Sequence, residues 1–398
     1  MSDITFNPMA PEFVADPYPT YHRLRAEDPV HQSPLGFWVL TRYEDVVASL
    51  RDPRMVKEPI AAFVAARFGL AAPPTGMGLS MLDRDPPDHT RLRGLVSKAF
   101  TPRVIEQLRP HIQQIVDGLL DKVEGKPGMD LIEQFAYPLP VIVICEMLGV
   151  PVADHERFKG WGLDIARGLD AIMLPPDSPV AERSMHARHA LAAYFRELIA
   201  ARRAAPRDDM LSGLIAAEEA GDKLSEDELL ATCILLLVAG HETTVNLIGN
   251  GSLALLRHPD QRKRLQDDPG LITTAVEELL RFDGPVQRTA RIPSEDVVIG
   301  GRTIGKGEMV MTFIGAADRD PAQFPDPDRL DLGRTDNRHI AFGWGIHFCI
   351  GAPLARVEGQ IAINTLLRRK PKLALATETP EYRQSLTLRG LSHLPVSF

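Results

Sequence analysis

The spacing of apolar and polar residues changes several times along the first two thirds of the chain. Residues 37–41 form a short strand-like run, and residues 43–50 have the spacing of a helix. From 101 to 258 the apolar positions recur mostly with a helical period. Breaks occur at 125–128, which is rich in glycine, and at Pro175-Pro176. This part of the chain is therefore predicted to be mainly helical.

The last third combines all three kinds of pattern. Residues 285–315 alternate in the manner of β-strands, with a turn expected at Gly300-Gly301. The segment 316–348 is irregular and rich in Pro, Asp and Gly, and loops of that length are often functional. Helical spacing returns over 352–369. No repeat or linker divides the chain, so we expect a mainly α protein with small β-sheets in one domain, 1–398.

The longest helical pattern is unusual in composition. Ser225 and Glu228 have the spacing of a capping box, and the pattern continues to about Arg257. A helix of that length is roughly 50 Å long. Its middle is apolar all round, which indicates burial, yet residues 239–244 read Ala-Gly-His-Glu-Thr-Thr. Polar groups and a glycine inside a buried helix are costly, which indicates a functional role for them.

Composition and charge exclude several classes of function. The 398 residues carry 45 Lys+Arg against 53 Asp+Glu, a net charge of −8, which disfavours nucleic-acid binding. Three cysteines, Cys145, Cys233 and Cys349, fit a reducing compartment rather than a disulfide framework. No signal peptide is visible, and the apolar run near 231–240 is too short to span a bilayer. We expect a cytoplasmic protein without a membrane anchor.

Three known motifs are matched in part, but each fails at one essential position. His241–Val245 begins like a zinc peptidase helix but has no second histidine. Gly300–Gly307 resembles a phosphate loop, but glycine replaces the hydroxyl residue that would follow the lysine. Gly343-Trp344-Gly345 fails as a dinucleotide fingerprint because Phe348 takes the place of the third glycine.

The residues around Cys349 fit a different chemistry. This cysteine is flanked by three glycines and followed by a helix with Pro353 in its first turn. A thiolate ligand is stabilised by backbone N–H groups and a helix N-terminus, and glycines let the backbone approach a flat macrocycle. Cys145 and Cys233, in apolar helical runs, are interpreted as buried structural residues.

The segment 342–351 resembles the cysteine loop of the cytochrome P450 family, at every fixed position of F-G-x-G-x-H-x-C-x-G. Residues 239–244 are similar to the family's oxygen-activation stretch, and Glu278 with Arg281 matches its E-x-x-R helix. Residues 327–330, Pro-Asp-Arg-Leu, are similar to the element that supplies a second arginine. The resemblance implies the cytochrome P450 fold, with the long central helix over a haem.

The same resemblance implies roles for single residues. Cys349 would be the iron ligand, and Thr243 and Glu242 would be the catalytic residues that deliver protons to dioxygen. The residues implied to bind haem b (iron protoporphyrin IX) are His89, Arg93, Ala239, Gly240, Arg291, Phe342, Gly343, His347 and Cys349. Those implied to line an apolar substrate pocket are Leu235, Val238, Ala239, Val286, Gln287, Thr387 and Leu388. Glu278, Arg281 and Arg329 would form a structural ion network.

By resemblance, the protein is a soluble bacterial-type monooxygenase of secondary metabolism that inserts one atom of O₂ into an apolar organic molecule. It is expected to be a monomer. A separate ferredoxin-type partner would supply electrons, since the chain is too short to include a flavin reductase. The basic residues proposed for its docking are Arg91, Lys98, Arg103 and Arg356. Two alternatives are a peroxide-driven peroxygenase and a non-catalytic recruitment module on the same fold. The intact Glu242-Thr243 pair disfavours the first, and intact Cys349 disfavours the second.

Overall fold

A computed structural model describes residues 7, 10–67, 79–174, 178–219 and 224–398. Fifteen α-helices occur in the described residues, and they confirm the mainly helical prediction. They are α1 Pro11–Ala15, α2 Tyr18–Glu27, α3 Tyr43–Arg51, α4 Pro59–Arg67, α5 Asp88–Ser97, α6 Pro102–Asp121, α7 Pro138–Met147, α8 Arg157–Gly168, α9 Pro179–Ala204, α10 Met210–Glu219, α11 Glu226–Arg257, α12 Pro259–Asp267, α13 Ile272–Phe282, α14 Ile314–Ala317 and α15 Ala352–Arg369.

Ten strands in the same residues form three small sheets. They are β1 Val30–Ser33, β2 Phe37–Leu40, β3 Met55–Val56, β4 Gly128–Asp130, β5 Thr289–Pro293, β6 Val297–Ile299, β7 Arg302–Ile304, β8 Met309–Thr312, β9 Ala374–Leu375 and β10 Pro395–Ser397. Strand order is β1-β2-β8-β5-β3 in the largest sheet, β4-β10-β9 in the second and β6-β7 in the third.

Two interior strands of the largest sheet, β2 and β8, are buried along their whole length. β2 lies between antiparallel β1 and parallel β8, with Phe37 opposite Met309 and Leu40 opposite Thr312. All four residues of β2 and of β8 are buried. The β6-β7 hairpin turns at Gly300 and Gly301, whose φ angles of 56° and 79° favour glycine. The predicted turn is therefore confirmed.

The chain divides into two compact units. The first comprises 1–55, 105–139 and 243–398, and the second comprises 56–104 and 140–242. The expectation of one domain over 1–398 stays a prediction. In the first unit, one core cluster joins α11, α12, α13 and α15 through residues such as Leu255, Leu279 and Ile363.

The second unit is organised around α8 and α9. Phe158 packs edge-on against Trp161 and Tyr194, with centroid distances of 6.0 and 5.1 Å. A Cβ on Gly168 would lie 2.0 Å from the hydroxyl of Ser184, so the two helices require glycine at this crossing.

Helix α11 begins as predicted. The Ser225 backbone N–H donates to Glu228 Oε2 at 2.8 Å, and the Glu228 N–H donates to Ser225 Oγ at 3.2 Å, a complete capping box. Within the described part of the chain, α11 alone is long and apolar enough to cross a membrane, but 72% of its most apolar window is buried inside the protein. Residues through Glu242 belong to the second unit and those from Thr243 to the first.

Candidate functional site

The loop before α15 is shaped by two glycines and one backbone bond. Gly343 and Gly345 both have a φ of 73°, and a Cβ on Gly345 would lie 2.5 Å from the Leu50 carbonyl oxygen. The Cys349 backbone N–H donates to the Phe342 carbonyl at 3.0 Å. This bond closes the loop and places Cys349 three residues before the first residue of α15.

The three cysteines differ sharply in environment. Cys145 and Cys233 are buried, and burial raises the pKa of each thiol to about 12. Cys349 is exposed, and the neighbouring Ile346 and Phe348 side chains are 51% and 39% exposed. An accessible thiol just before a helix, bordered by accessible apolar side chains, fits a bound group that contains a metal and has an apolar surface.

The carboxylate of Glu278 on α13 is fully buried, and both of its oxygens accept hydrogen bonds. Arg281, one turn later on α13, donates to both of its oxygens at 2.8 Å. The Asp331 backbone N–H and the Asn337 side chain donate at 3.0 and 3.2 Å. Arg281 also donates to the Asp318 and Pro327 carbonyls. A buried charge is stable only when paired and hydrogen-bonded in this way.

The second arginine of this network is not the predicted one. Arg334 donates to Glu278 Oε2 at 3.1 Å, and its side chain is 11% exposed. Arg329 was expected in this place, but its side chain is 65% exposed and lies 3.8 Å from Asp331. Arg329 contributes only its carbonyl, which accepts from Arg281 and Arg334. The prediction of a side-chain role for Arg329 was wrong, because the loop turns that side chain outward.

Helix α11 has one accessible face in an otherwise buried stretch. Leu235, Val238 and Thr243 are half-buried and Ala239 is exposed, whereas most of their neighbours are buried. Positions 235, 239 and 243 are successive turns of one helix face. At Gly240, a Cβ would lie 2.9 Å from the Ile144 side chain. α11 and α7 therefore pack too closely there for any larger residue.

The polar pair His241 and Glu242 lies on the buried side of the same helix. His241 Nδ1 is 2.6 Å from the Leu237 carbonyl, which can only accept, so Nδ1 carries a proton. His241 Nε2 then lies 3.3 Å from Glu242 Oε1. A Cβ on Gly162 of α8 would lie 2.7 Å from His241 Nε2, so this glycine makes room for the imidazole.

The basic residues predicted to bind a cofactor's carboxylates occur in both units. In the second unit, His89 is buried on α5. Its pKa is lowered mainly by burial and, to a smaller extent, by the positive charge of Arg93. In the first unit, Arg291 is buried on β5 and donates to the Ala290 carbonyl at 2.8 Å. His347 is half-buried in the cysteine loop.

A family comparison agrees with this geometry. A sequence profile for Cytochrome P450 matches residues 31–269 and 270–379. The chain belongs to the cytochrome P450 family. It is accordingly a haem enzyme of the monooxygenase type, with haem b as its cofactor.

Relatives of known structure and name support the assignment over the whole chain. The Vitamin D(3) 25-hydroxylase of Pseudonocardia autotrophica is 48% identical, with 97% of this chain and 94% of that protein aligned. Myxobacterial CYP267B1 in complex with myristic acid superposes with a TM-score of 0.92 and 48% identity, covering 98% of both chains. P450BioI, in complex with an acyl carrier protein ligated to hexadec-9Z-enoic acid, superposes with a TM-score of 0.87 and is 44% identical in sequence. The alignment covers 97% of this chain and 99% of that one. The predicted P450 fold is confirmed.

The predicted lining residues near the C-terminus do come together, with one correction. Val286 pairs with Leu388 in a β-bridge, and the Gln287 N–H donates to the Thr387 carbonyl at 2.9 Å. The Gln287 side chain, however, is buried, accepts from the Tyr21 hydroxyl and donates to a backbone carbonyl. It was predicted to line a substrate pocket, but its amide joins α2 to the segment between α13 and β5.

The sequence analysis missed a buried acid. Glu358 on α15 is fully buried, and burial raises its pKa to about 8, an increase that the nearby Thr244 partly offsets. Glu358 lies nine positions after Cys349 in an apolar helical pattern. A glutamate on the buried face of that pattern was the available signal.

The corrected ion network gives a direct prediction. Arg334→Ala should lower the free energy of unfolding by about 2 kcal/mol, because Glu278 loses a partner inside the protein. Arg329→Ala is the matched control and should change it by less than about 0.5 kcal/mol. Urea denaturation of the haem-loaded protein measures both. Equal losses in the two variants would restore the original assignment.

Glu358 predicts a pH-dependent difference. Its pKa is raised from 4.5 to about 8, so between these values the folded state keeps a proton that the unfolded state releases. Wild-type stability attributable to this group therefore falls as pH rises through that window. Glu358→Gln cannot ionise, so its stability relative to wild type should rise by about 1 kcal/mol per pH unit there.

Thermal unfolding of the two haem-loaded proteins across this window measures the difference. The exposed Glu378→Gln is the control and should show a constant difference from wild type. A constant difference for Glu358→Gln as well would contradict the protonated state.

Proposed function

We propose that the chain inserts one atom of O₂ into an apolar organic substrate, by C–H hydroxylation or epoxidation, with Cys349 as the proximal iron ligand. The observation that carries this proposal is the exposed thiol of Cys349 in a glycine-shaped loop at the start of α15. Bound through a thiolate, the haem supplies O–O cleavage chemistry. The structural cysteines, with pKa values of about 12, are unsuited to that role.

Other residues are proposed to bind the haem propionates or to be small enough to leave space for the haem. His89, Arg93, Arg291 and His347 would neutralise and hydrogen-bond its two propionates. Phe342 and Gly343 would pack beneath the ring, and Ala239 and Gly240 would leave space above it. The contact of Gly240 with Ile144 shows that a side chain there would displace α11.

Proton delivery is proposed for the hydroxyl and carboxyl groups of α11. The Thr243 hydroxyl lies on the accessible face of the helix, where it can donate a hydrogen bond to dioxygen. Glu242, which is buried, would help relay protons that come from solvent. Since His241 Nδ1 donates to the Leu237 carbonyl, His241 Nε2 is the ring nitrogen that faces Glu242 Oε1, at 3.3 Å.

The substrate is proposed as an apolar molecule without a more specific class. The lining residues that remain after the correction of Gln287 are Leu235, Val238, Ala239, Val286, Thr387 and Leu388. All are small or apolar apart from one hydroxyl. The names of the relatives cover a vitamin, a free fatty acid and a carrier-bound acyl chain, so they support apolarity rather than one compound.

We also propose a cytoplasmic monomer that receives electrons from a separate acidic ferredoxin. Of the four basic residues considered for docking, Arg91 is bonded to Asp88 and Glu228, and Arg356 to Glu277. Lys98 and Arg103 are exposed, and neither forms an ion pair with another residue that the structure describes. These two are the better docking candidates.

A peroxygenase remains the alternative among enzymes. It would use hydrogen peroxide directly and would need no proton relay. The Glu242-Thr243 pair, with Thr243 on the accessible helix face, supports dioxygen activation instead. A non-catalytic recruitment module would need neither group.

Replacement of the proposed ligand tests the central claim. Cys349→Ser should abolish the red-shifted Soret band that thiolate-ligated ferrous haem gives with CO.

Thr243→Ala should keep that band but divert electrons from NAD(P)H into hydrogen peroxide. The peroxide yield is measured in the presence of a compound that shifts the ferric spin state. An unchanged CO spectrum in Cys349→Ser would overturn the ligand assignment, and unchanged peroxide yield in Thr243→Ala would overturn the proton role.

Charge reversal tests the docking proposal. Lys98→Glu and Arg103→Glu should each slow reduction by an acidic plant-type ferredoxin, used as the probe, by about 3- to 10-fold at low salt. The reduction rate of each variant should also depend less on salt concentration than that of the wild type, because the lost charge acts on association. Arg157→Glu, a surface arginine on α8, is the control. Stopped-flow rates that stay unchanged in both variants would refute docking at these residues.

A further inference from the structure

Four side chains form a compact cluster beside the cysteine loop, here named the Glu277 clamp: Glu277, His339, Phe342 and Arg356. Arg356 of α15 donates to both Glu277 oxygens, at 2.7 and 2.8 Å. His339 Nε2 lies 3.0 Å from Glu277 Oε2. Glu277 is the residue next to Glu278, but it bonds an entirely different set of partners.

The hydrogen bonds of the clamp fix its protonation. The Ala341 backbone N–H donates to His339 Nδ1 at 3.2 Å, so in neutral His339 the proton is on Nε2 and points at Glu277. Burial opposes ionisation of Glu277, but the bonds from His339 and Arg356 outweigh it and lower its pKa to about 2. Glu277 and Arg356 are therefore one negative and one positive charge in contact.

This charge pair is coupled directly to the loop that holds the thiol. The Arg356 guanidinium carbon lies 4.6 Å from the centre of the Phe342 ring, a cation–π contact. The Phe342 carbonyl accepts the Cys349 N–H at 3.0 Å. The Phe342 ring also meets Phe348 edge-on at 6.3 Å. A charge left unbalanced in the clamp would thus act two contacts away from the sulfur.

We propose that Glu277 and Arg356 are positioning residues that set the reduction potential of the haem by opposed charges on the proximal side. This inference rests on Cys349 being the iron ligand. Reduction adds one negative charge to the haem and thiolate, which a nearby positive charge favours and a negative charge opposes. In the intact clamp the two contributions largely cancel, while the cation–π contact holds Phe342 in place.

The experiment is a double-mutant cycle on the haem-loaded protein. Glu277→Gln leaves Arg356 unbalanced and should raise the midpoint potential. Arg356→Gln leaves Glu277 unbalanced and should lower it. Each change should alter the ferrous-to-ferric ratio at a fixed solution potential by about 3- to 10-fold at low salt. The double variant should return close to the wild-type potential, and Arg356→Lys, which keeps the charge, should stay near it.

Spectroelectrochemical titration measures the potentials, and the CO spectrum of each variant checks that thiolate ligation is intact. Glu106→Gln and Arg109→Gln, which break an exposed pair on α6, are the controls and should shift nothing. Shifts of the same sign in both clamp variants, or no shift in either, would overturn the inference. A wild-type protein without the thiolate band would refute the proposed function instead, so the two failures are distinguishable.

Discussion

A carboxylate with no exposure to solvent, that of Glu278, constrains the region that carries the chemistry. It accepts hydrogen bonds from α13 itself, from Arg334 and from the backbone and side chains of the segment 331–337. The cost of burying this charge is offset only if all of these donors are in place together. The irregular segment before the cysteine loop is therefore held in one conformation without any regular secondary structure of its own.

The neighbouring Glu277 contacts a different part of the structure from Glu278. Glu278 faces the segment 331–337, and Glu277 faces the cysteine loop and α15. Consecutive residues on a helix point about 100° apart, so one turn of α13 can contact both elements at once. In this way α13 supports both the segment 331–337 and the cysteine loop that contains Gly343 and Gly345.

Motifs that act over short sequence distances were predictable, and long-range partners were not. The Glu278–Arg281 pair, expected from the family resemblance, has the i,i+3 spacing of one helix face, and the capping box at Ser225 follows from its own spacing. Arg334 is 56 residues from Glu278, and nothing local distinguishes it from Arg329 or Arg338 in a segment with several arginines. The Gln287 side chain was misassigned for a related reason, since its partner Tyr21 is 266 residues away.

The adjacent threonines Thr243 and Thr244 of α11 each lie close to a buried acid. Glu242 directly precedes Thr243 and is buried beside His241, whereas Thr244 lies close enough to Glu358 of α15 to influence its pKa. A carboxyl group with a pKa near 8 keeps its proton at neutral pH, so Glu358 meets Thr244 as a neutral acid. An ionised glutamate there would place a buried charge on α15 without an ion-pair partner among the described residues, and burying such a charge is costly. Protonation of Glu358 thus removes that cost from the contact between α11, which carries Thr243, and α15, which begins three residues after Cys349.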